Sequence, residues 1–272
     1  MGILICPVCG EMLDLSGNSY VCPKRHSFDK AKSGYVNLLL SKHIGKTMHG
    51  DNKLMVQARR DFLEKGYYAP LKDALCEIAA DKLDGNVILD AGCGEGYYTA
   101  AIYDKLNSQQ KSVSMYGIDI SKIAVEAAAK RKKNITFAAA SVFHIPVLSG
   151  SCDMLVTMFA PYCGEEYARV LRKDGIMAMA VPSTEHLWEL KKAIYDTPYL
   201  NEVKPFDLEG FDFIGHDHIA YNMELLSQQD VQSLFSMTPY YYRTGRDQQQ
   251  RLEQICSICT KADFELLIYR KK

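Results

Sequence analysis

No stretch of this 272-residue sequence approaches the roughly 20 consecutive apolar residues a membrane-spanning helix needs, so no membrane partner is expected. A basic n-region is also missing, and the N-terminal apolar run ends by Pro7, too soon for a secretory signal. The chain is therefore expected in the cytoplasm. With 47% hydrophobic and 24% charged residues, it has neither the composition of a disordered chain nor that of collagen or a coiled coil. Net charge is nearly absent, at −1, yet it is unevenly distributed. Residues 21–60 carry +7, from Lys24, Arg25, Lys30, Lys32, Lys42, Lys46, Lys53, Arg59 and Arg60 against Asp29 and Asp51, and the remainder carries −8. A basic segment on a neutral chain points to a polyanionic partner met by one face.

A disulfide framework is not expected of nine cysteines in a compartment that keeps thiols reduced. Cys76, Cys93, Cys152 and Cys163 stand singly among apolar residues and read as core side chains. Cys256 and Cys259 share helical spacing with Leu252 and Ile255, which predicts a buried helix face there. The N-terminal set is different. Cys6-Pro7-Val8-Cys9 and Cys22-Pro23-Lys24-Arg25-His26 form C-x2-C-x12-C-x3-H, with a hairpin turn at Gly17-Asn18 between the pairs. Cys6, Cys9, Cys22 and His26 would supply four tetrahedral ligands to one zinc, leaving no open position, so the site is structural.

From residue 86, short apolar strands alternate with helical stretches. Strands are predicted at 87–90, 115–119, 135–139, 153–159 and 176–181, and helices at 70–83, 98–106, 121–132 and 165–171. This is an α/β pattern, a parallel sheet covered on both faces. Its first strand runs into Asp90-Ala91-Gly92-Cys93-Gly94-Glu95-Gly96, and Asp119 ends the next strand 23 residues beyond Gly96. Gly92, Gly94 and Gly96 allow a tight turn and close approach of a ligand, and a carboxylate at Asp119 can accept both hydroxyls of a ribose. The loop resembles the S-adenosylmethionine loop of class I (Rossmann-like) methyltransferases. Such enzymes often line the adenine with an Asp where this chain has Ser141. The fourth strand ends Phe159-Ala160-Pro161-Tyr162, lacking the Asn or Asp that enzymes methylating exocyclic amines carry. A ring nitrogen, carbon or oxygen is left as the methyl acceptor.

Beyond the zinc motif and this loop, the chain carries Ala31-Lys32-x-Gly34-Tyr35-Val36-Asn37, Gln57-Ala58-Arg59-Arg60-x-Phe62-Leu63, Gly66-x-Tyr68-x-Pro70-Leu71, His186-Leu187-x-Glu189 and Met237-Thr238-Pro239. In this order they resemble the bacterial 23S rRNA guanine-N1 methyltransferase family over essentially the full length. The resemblance implies transfer of a methyl group from S-adenosylmethionine to N1 of a guanine in a 23S rRNA hairpin loop, and one subfamily is linked to macrolide resistance. It also places Tyr68, Tyr98, Thr99 and His186 at the cofactor. The expected divisions are a zinc-binding RNA-recognition domain at 1–40, a linker or helix at 41–69 bridging to the active site, and an S-adenosylmethionine-dependent methyltransferase domain at 70–272. Lys24, Arg25, Lys30, Lys32, Arg59 and Arg60 are the expected RNA contacts, Asp51 is the candidate proton acceptor, and Tyr35, Tyr67, Phe159 and Tyr162 are candidate base platforms. A small-metabolite methyltransferase with a purely structural zinc segment, and a non-catalytic zinc RNA-binding module, are the alternatives. A homodimer is left open.

Overall fold

Buried runs of small and branched side chains, such as Val87–Ala91 before Gly92, set the sheet of the computed structural model. It describes residues 2–40, 50–242 and 244–272; Lys42, Lys46, Met48, His49 and most of the bridging segment before Gly50 lie outside the described residues. Three short strands come first, β1 (Asp14–Ser16), β2 (Ser19–Val21) and β3 (Ser27–Asp29), paired antiparallel in the order β1-β2-β3. The β1–β2 turn falls at Gly17, whose φ of 61° is the left-handed conformation that favours glycine, as the sequence suggests.

The remaining strands make one eight-stranded sheet. They are β4 (Val36–Asn37), β5 (Val87–Ala91), β6 (Ser114–Asp119), β7 (Thr136–Ala139), β8 (Cys152–Met158), β9 (Leu171–Pro182), β10 (Phe211–Leu225) and β11 (Ile258–Lys271). Their spatial order is β10-β11-β9-β8-β5-β6-β7-β4. Strands β4 to β9 pair in parallel, whereas β11 lies antiparallel between β9 and β10. Helices α2 (Ala69–Lys82), α3 (Tyr97–Ser108), α4 (Lys122–Arg131) and α5 (Gly164–Val170) fall within a residue or two of the predicted ones. The helices α1 (Lys53–Glu64), α6 (Trp188–Ile194), α7 (Gln228–Ser236) and α8 (Arg246–Glu253) complete the fold.

The zinc-motif segment is built into this sheet. Strand β4 extends it beyond β7, Leu38 N–H donates to Ala139 O (2.9 Å), and Ile5 N–H donates to Pro146 O (2.9 Å). Ile3, Leu4, Leu13, Cys22, Val36 and Leu38 pack in one apolar cluster with Leu89, Ile118, Ala138 and Val147. Fully burying each larger side chain contributes about 1.5–3 kcal/mol, so the segment obtains from the sheet the core that it lacks by itself.

One expectation is corrected. Cys256 and Cys259 are exposed, helix α8 ends at Glu253, and Cys259 is already in β11 opposite Glu224. The helical spacing was coincidental, because strand pairing claims the chain from Ile258 onward. Cys76, Cys93 and Cys152 are buried as expected, and Cys163 is partly so.

Candidate cofactor and zinc sites

The four zinc-motif side chains converge. Their ligand atoms lie within 4.8 Å of one another, with Cys9 Sγ 3.7 Å from Cys22 Sγ, and His26 Nδ1 3.5 Å from Cys6 Sγ and 3.3 Å from Cys22 Sγ. A tetrahedron with Zn–S bonds of about 2.3 Å has edges of roughly 3.7 Å, so this donor set fits zinc. Burial pushes the Cys22 thiol up, but the hydrogen bonds from the His26 backbone and ring outweigh it and bring the pKa down to about 7, which favours the thiolate a metal needs. The left-handed φ of 64° at Arg25 turns the second knuckle.

The cofactor loop leaves the carboxyl end of β5, beside the point where the strand order reverses between β5 and β8, and packs over the end of β6. Gly92, Gly94 and Gly96 all have positive φ (89°, 55° and 82°), and a Cβ on Gly92 would lie 2.3 Å from that of Ala160. Only glycine fits this turn. Gly96 then caps α3, so that the helix starts directly from the loop. Glu95 is buried behind the loop, where Arg131 binds it and also reaches Glu64 (2.6 Å).

Asp119 lies deep in the crevice yet is still reached by solvent. Its Oδ2 accepts from Gly94 N–H (3.0 Å) and its Oδ1 from Ser121 N–H (2.8 Å). Burial raises its pKa against these two donors. Each oxygen keeps a free lone pair for a ribose hydroxyl. Asp119→Ala should therefore weaken cofactor binding by about 1.5–3 kcal/mol, roughly tenfold or more, measurable by calorimetry. Unchanged affinity would remove Asp119 from the site.

Asp90 is fully buried. Thr99 Oγ1 donates to its Oδ2 (2.5 Å), while Oδ1 has no partner among the described residues. Burial pushes its carboxyl up to about 7, the Thr99 bond lowers it, and the charge of Asp119 adds to the rise. An orphaned carboxylate oxygen beside the glycine loop suits the ammonium group that S-adenosylmethionine carries, and these residues fit that cofactor. Thr99 thus reaches Asp90, not open crevice. The Tyr98 hydroxyl is buried without a hydrogen-bond partner among the described residues.

Tyr68 and His186 lie against each other. The Tyr68 hydroxyl lies 3.5 Å from His186 Nε2, and both rings pack on Phe264 (4.9 and 4.6 Å between centroids). His186 Nδ1 accepts from Asp263 N–H (3.3 Å), and burial pushes its pKa down to about 3, so the imidazole is neutral. The buried Ser141 Oγ accepts from Phe143 N–H (3.2 Å), which uses the side chain to shape its own turn.

Among the candidate base platforms, Tyr67 stacks on Phe62 (4.8 Å) and donates to Asp230 (3.0 Å), so it is spent on packing. Tyr35 is partly buried against the core. Phe159 and Tyr162 remain exposed, at 44% and 39%. Phe159 also has a φ of 59°, an unfavourable conformation for a bulky residue and one that clusters at functional sites. Asp51 is drawn to the crevice by an ion pair with Arg59, and its carbonyl accepts from Ser121 Oγ (2.7 Å).

The expected RNA contacts divide. Lys24 pairs with Glu11 (3.4 Å), Arg25 and Arg60 are exposed, and Arg59 turns toward the crevice. Lys30 and Lys32 line a groove of about 380 Å³ between the zinc segment and the α4–β7 turn, together with Lys133, whose Nζ donates to Ser33 O (3.0 Å). Lys133 was not singled out from sequence, because its neighbours in the run 130–133 made it look like an ordinary charged helix end.

Residues 82–258 match the family described as a methyltransferase domain, and residues 4–43 match the family described as RlmA, N-terminal, a zinc ribbon. A Bacillus subtilis protein, YxjB, assigned as a 23S rRNA (guanine-N1)-methyltransferase, is 31% identical over 98% of this chain and 96% of its own length. The 23S rRNA (guanine(748)-N(1))-methyltransferase of Streptomyces fradiae is 32% identical over 70% of this chain and 67% of its own. A Haloferax volcanii methyltransferase, solved in complex with the Trm112 methyltransferase activator, has the same fold at 17% identity, with a TM-score of 0.52 over 82% of this chain and 99% of that one. With the zinc ribbon joined to an S-adenosylmethionine crevice and kinship running the length of the chain, this protein belongs to the 23S rRNA (guanine-N1)-methyltransferase family.

Proposed function

We propose that this protein transfers the methyl group of S-adenosylmethionine to N1 of a guanine in a 23S rRNA hairpin loop, in the cytoplasm. The near full-length kinship with enzymes of that name carries the reading. Among the described residues no helix is long and apolar enough to cross a membrane.

Guanine N1 bears a hydrogen and is a weak nucleophile until that proton leaves, with negative charge moving to O6. The cofactor, when bound, supplies an electrophilic methyl on sulfur. Held by the glycine loop, Asp90 and Asp119, it would give up that methyl from sulfur to N1, and the N1 proton would pass to an acceptor on the protein. The chain's part is to hold a flipped base in line with the methyl, take that proton and exclude water. Phe159 is the proposed base platform. Its exposed ring stands at the end of β8, 5.5 Å from Phe264 and 6.5 Å from Tyr68, and its left-handed backbone supports the assignment, because strain of this kind persists where function requires it. Asp51 is the proposed proton acceptor.

Docking is assigned to the zinc segment, with Lys24, Arg25, Lys30 and Lys32 contacting phosphates and Arg60 adding to the basic face. Neutralising those four residues together should weaken hairpin binding and flatten its dependence on salt. The log–log slope should fall by roughly 0.7–0.9 for each phosphate left without its cationic side chain. Cofactor affinity should stay unchanged, and methylation should recover at saturating RNA. Filter binding at several salt concentrations reads this directly. Normal hairpin binding by the fourfold variant at every salt concentration would leave the zinc segment with another role and favour a metabolite substrate.

A further inference from the structure

Arg59 is the one expected RNA contact that faces the cofactor crevice. From the second turn of α1, its Nη1 meets the Asp51 carboxylate and its Nη2 donates to Met237 O at 3.4 Å. The same Nη1 is 3.7 Å from where a Cβ on Gly94 would stand, directly over the glycine loop. Its charge is felt by Asp119 and by the hydroxyls of Tyr68 and Tyr98, so it lies amid the residues assigned to the cofactor.

The segment bearing Asp51 is fixed there as well. A Cβ on Gly50 would sit 2.8–2.9 Å from Ile120 and Ser121, so the chain is pressed onto the end of β6 immediately after Asp119. Ser121 Oγ donates to Asp51 O (2.7 Å), and Asn52 caps α1 by accepting from Met55 N–H (3.0 Å). A guanidinium and a carboxylate are thus paired across the opening of a crevice that must admit a zwitterionic amino-acid moiety.

We propose that Arg59 binds the α-carboxylate of S-adenosylmethionine, and that Asp51 occupies this position until the cofactor arrives. The inference rests on the cofactor reading above and deepens it. S-adenosylmethionine has a single anionic group, and a planar guanidinium is the side chain best matched to a carboxylate. One carboxylate replaces another on Arg59. The exchange releases Asp51 from its ion pair, and a carboxylate without that partner is the better proton acceptor. Cofactor binding thereby comes before readiness to deprotonate guanine.

The test compares two ligands by calorimetry on the full zinc-loaded chain. S-adenosylhomocysteine retains the α-carboxylate, whereas 5′-methylthioadenosine lacks the amino-acid moiety. Arg59→Gln should weaken S-adenosylhomocysteine binding by roughly tenfold or more, the range of a hydrogen bond to a charged group, and leave 5′-methylthioadenosine within about twofold. Arg59→Lys should fall between. Asp51→Asn should tighten S-adenosylhomocysteine binding, because the competing carboxylate is gone. Equal loss of both ligands in Arg59→Gln would overturn the proposal in favour of a structural ion pair. Unchanged binding of both, with weakened binding of the rRNA hairpin, would return Arg59 to the RNA. If the unaltered chain bound neither ligand, the cofactor reading itself would fail with it.

Discussion

Cys22→Ser should release the zinc and unfold the N-terminal segment while the sheet from β5 to β9 persists. Structural zinc sites have apparent binding free energies of about 10–16 kcal/mol, comparable to or above the whole stability of an ordinary domain. The apolar residues of the segment, Ile3, Leu4, Leu13 and Val36, are too few to replace it. What remains is the contact with the sheet, in which Leu38 bonds Ala139 and Ile5 bonds Pro146. Hydrogen exchange should therefore accelerate at residues 3–38 and at the newly exposed edge around Ala138–Ala140, with little change at residues 87–91. Chelation of zinc from the unaltered chain should give the same map. Retained protection at residues 3–38 after metal removal would show that apolar packing alone holds the segment.

The second large effect concerns Asp90. Its pKa is raised in the folded, cofactor-free protein to about 7, so the stabilising protonated form is fully present below the unfolded value near 4 and is lost as pH rises through about 7. At pH 8 the folded chain must hold a buried carboxylate with one hydrogen bond, at a cost on the order of 4 kcal/mol. Asp90→Asn keeps the acceptor for Thr99 and removes the charge. The cofactor-free variant should melt above the unaltered chain at pH 8 by roughly 5 °C or more, and the gap should close toward pH 4. The same substitution should weaken cofactor binding at least tenfold, because the oxygen left for an ammonium group no longer carries charge. A variant that is destabilised at pH 8 would show that the carboxylate is satisfied in a way the described residues do not provide.

Much of the catalytic half was legible because its signals are local. The buried parts of β5 to β9 are short, mostly apolar runs, the glycine loop is a fixed spacing, and the zinc ligands form two short-range pairs. The β10–β11 hairpin was not legible. β11 lies inside the sheet, yet it carries Asp263 and Glu265, residue types that are seldom buried unless paired. Both are buried because the edge strand supplies histidines: His218 Nε2 is 2.7 Å from Asp263 and His216 Nδ1 2.9 Å from Glu265, while Ser183 Oγ donates to Glu265 (2.9 Å). Pairing across some 45 residues converts a polar pattern into a core strand, and no window along the sequence contains it. The two-residue β4 is invisible for a related reason, since its strand character comes entirely from β7. The placement of Arg59 over Gly94 is of the same kind. A linker or helix was expected at 41–69, but the orientation of Arg59 depends on how α1 packs against α4 and α7.

Methyl transfer to a guanine ring nitrogen in rRNA is tested most directly by mapping the labelled base. Zinc-loaded protein is incubated with labelled S-adenosylmethionine and 23S rRNA lacking base methylation, and the labelled nucleotide is mapped by nuclease digestion and primer extension. A methyl on N1 blocks the Watson–Crick edge and stops reverse transcription. The expected result is label in one hairpin-loop guanine as N1-methylguanosine, with a primer-extension stop at that position. Label appearing in a small metabolite, or on an exocyclic amine or ribose of the RNA, would contradict it.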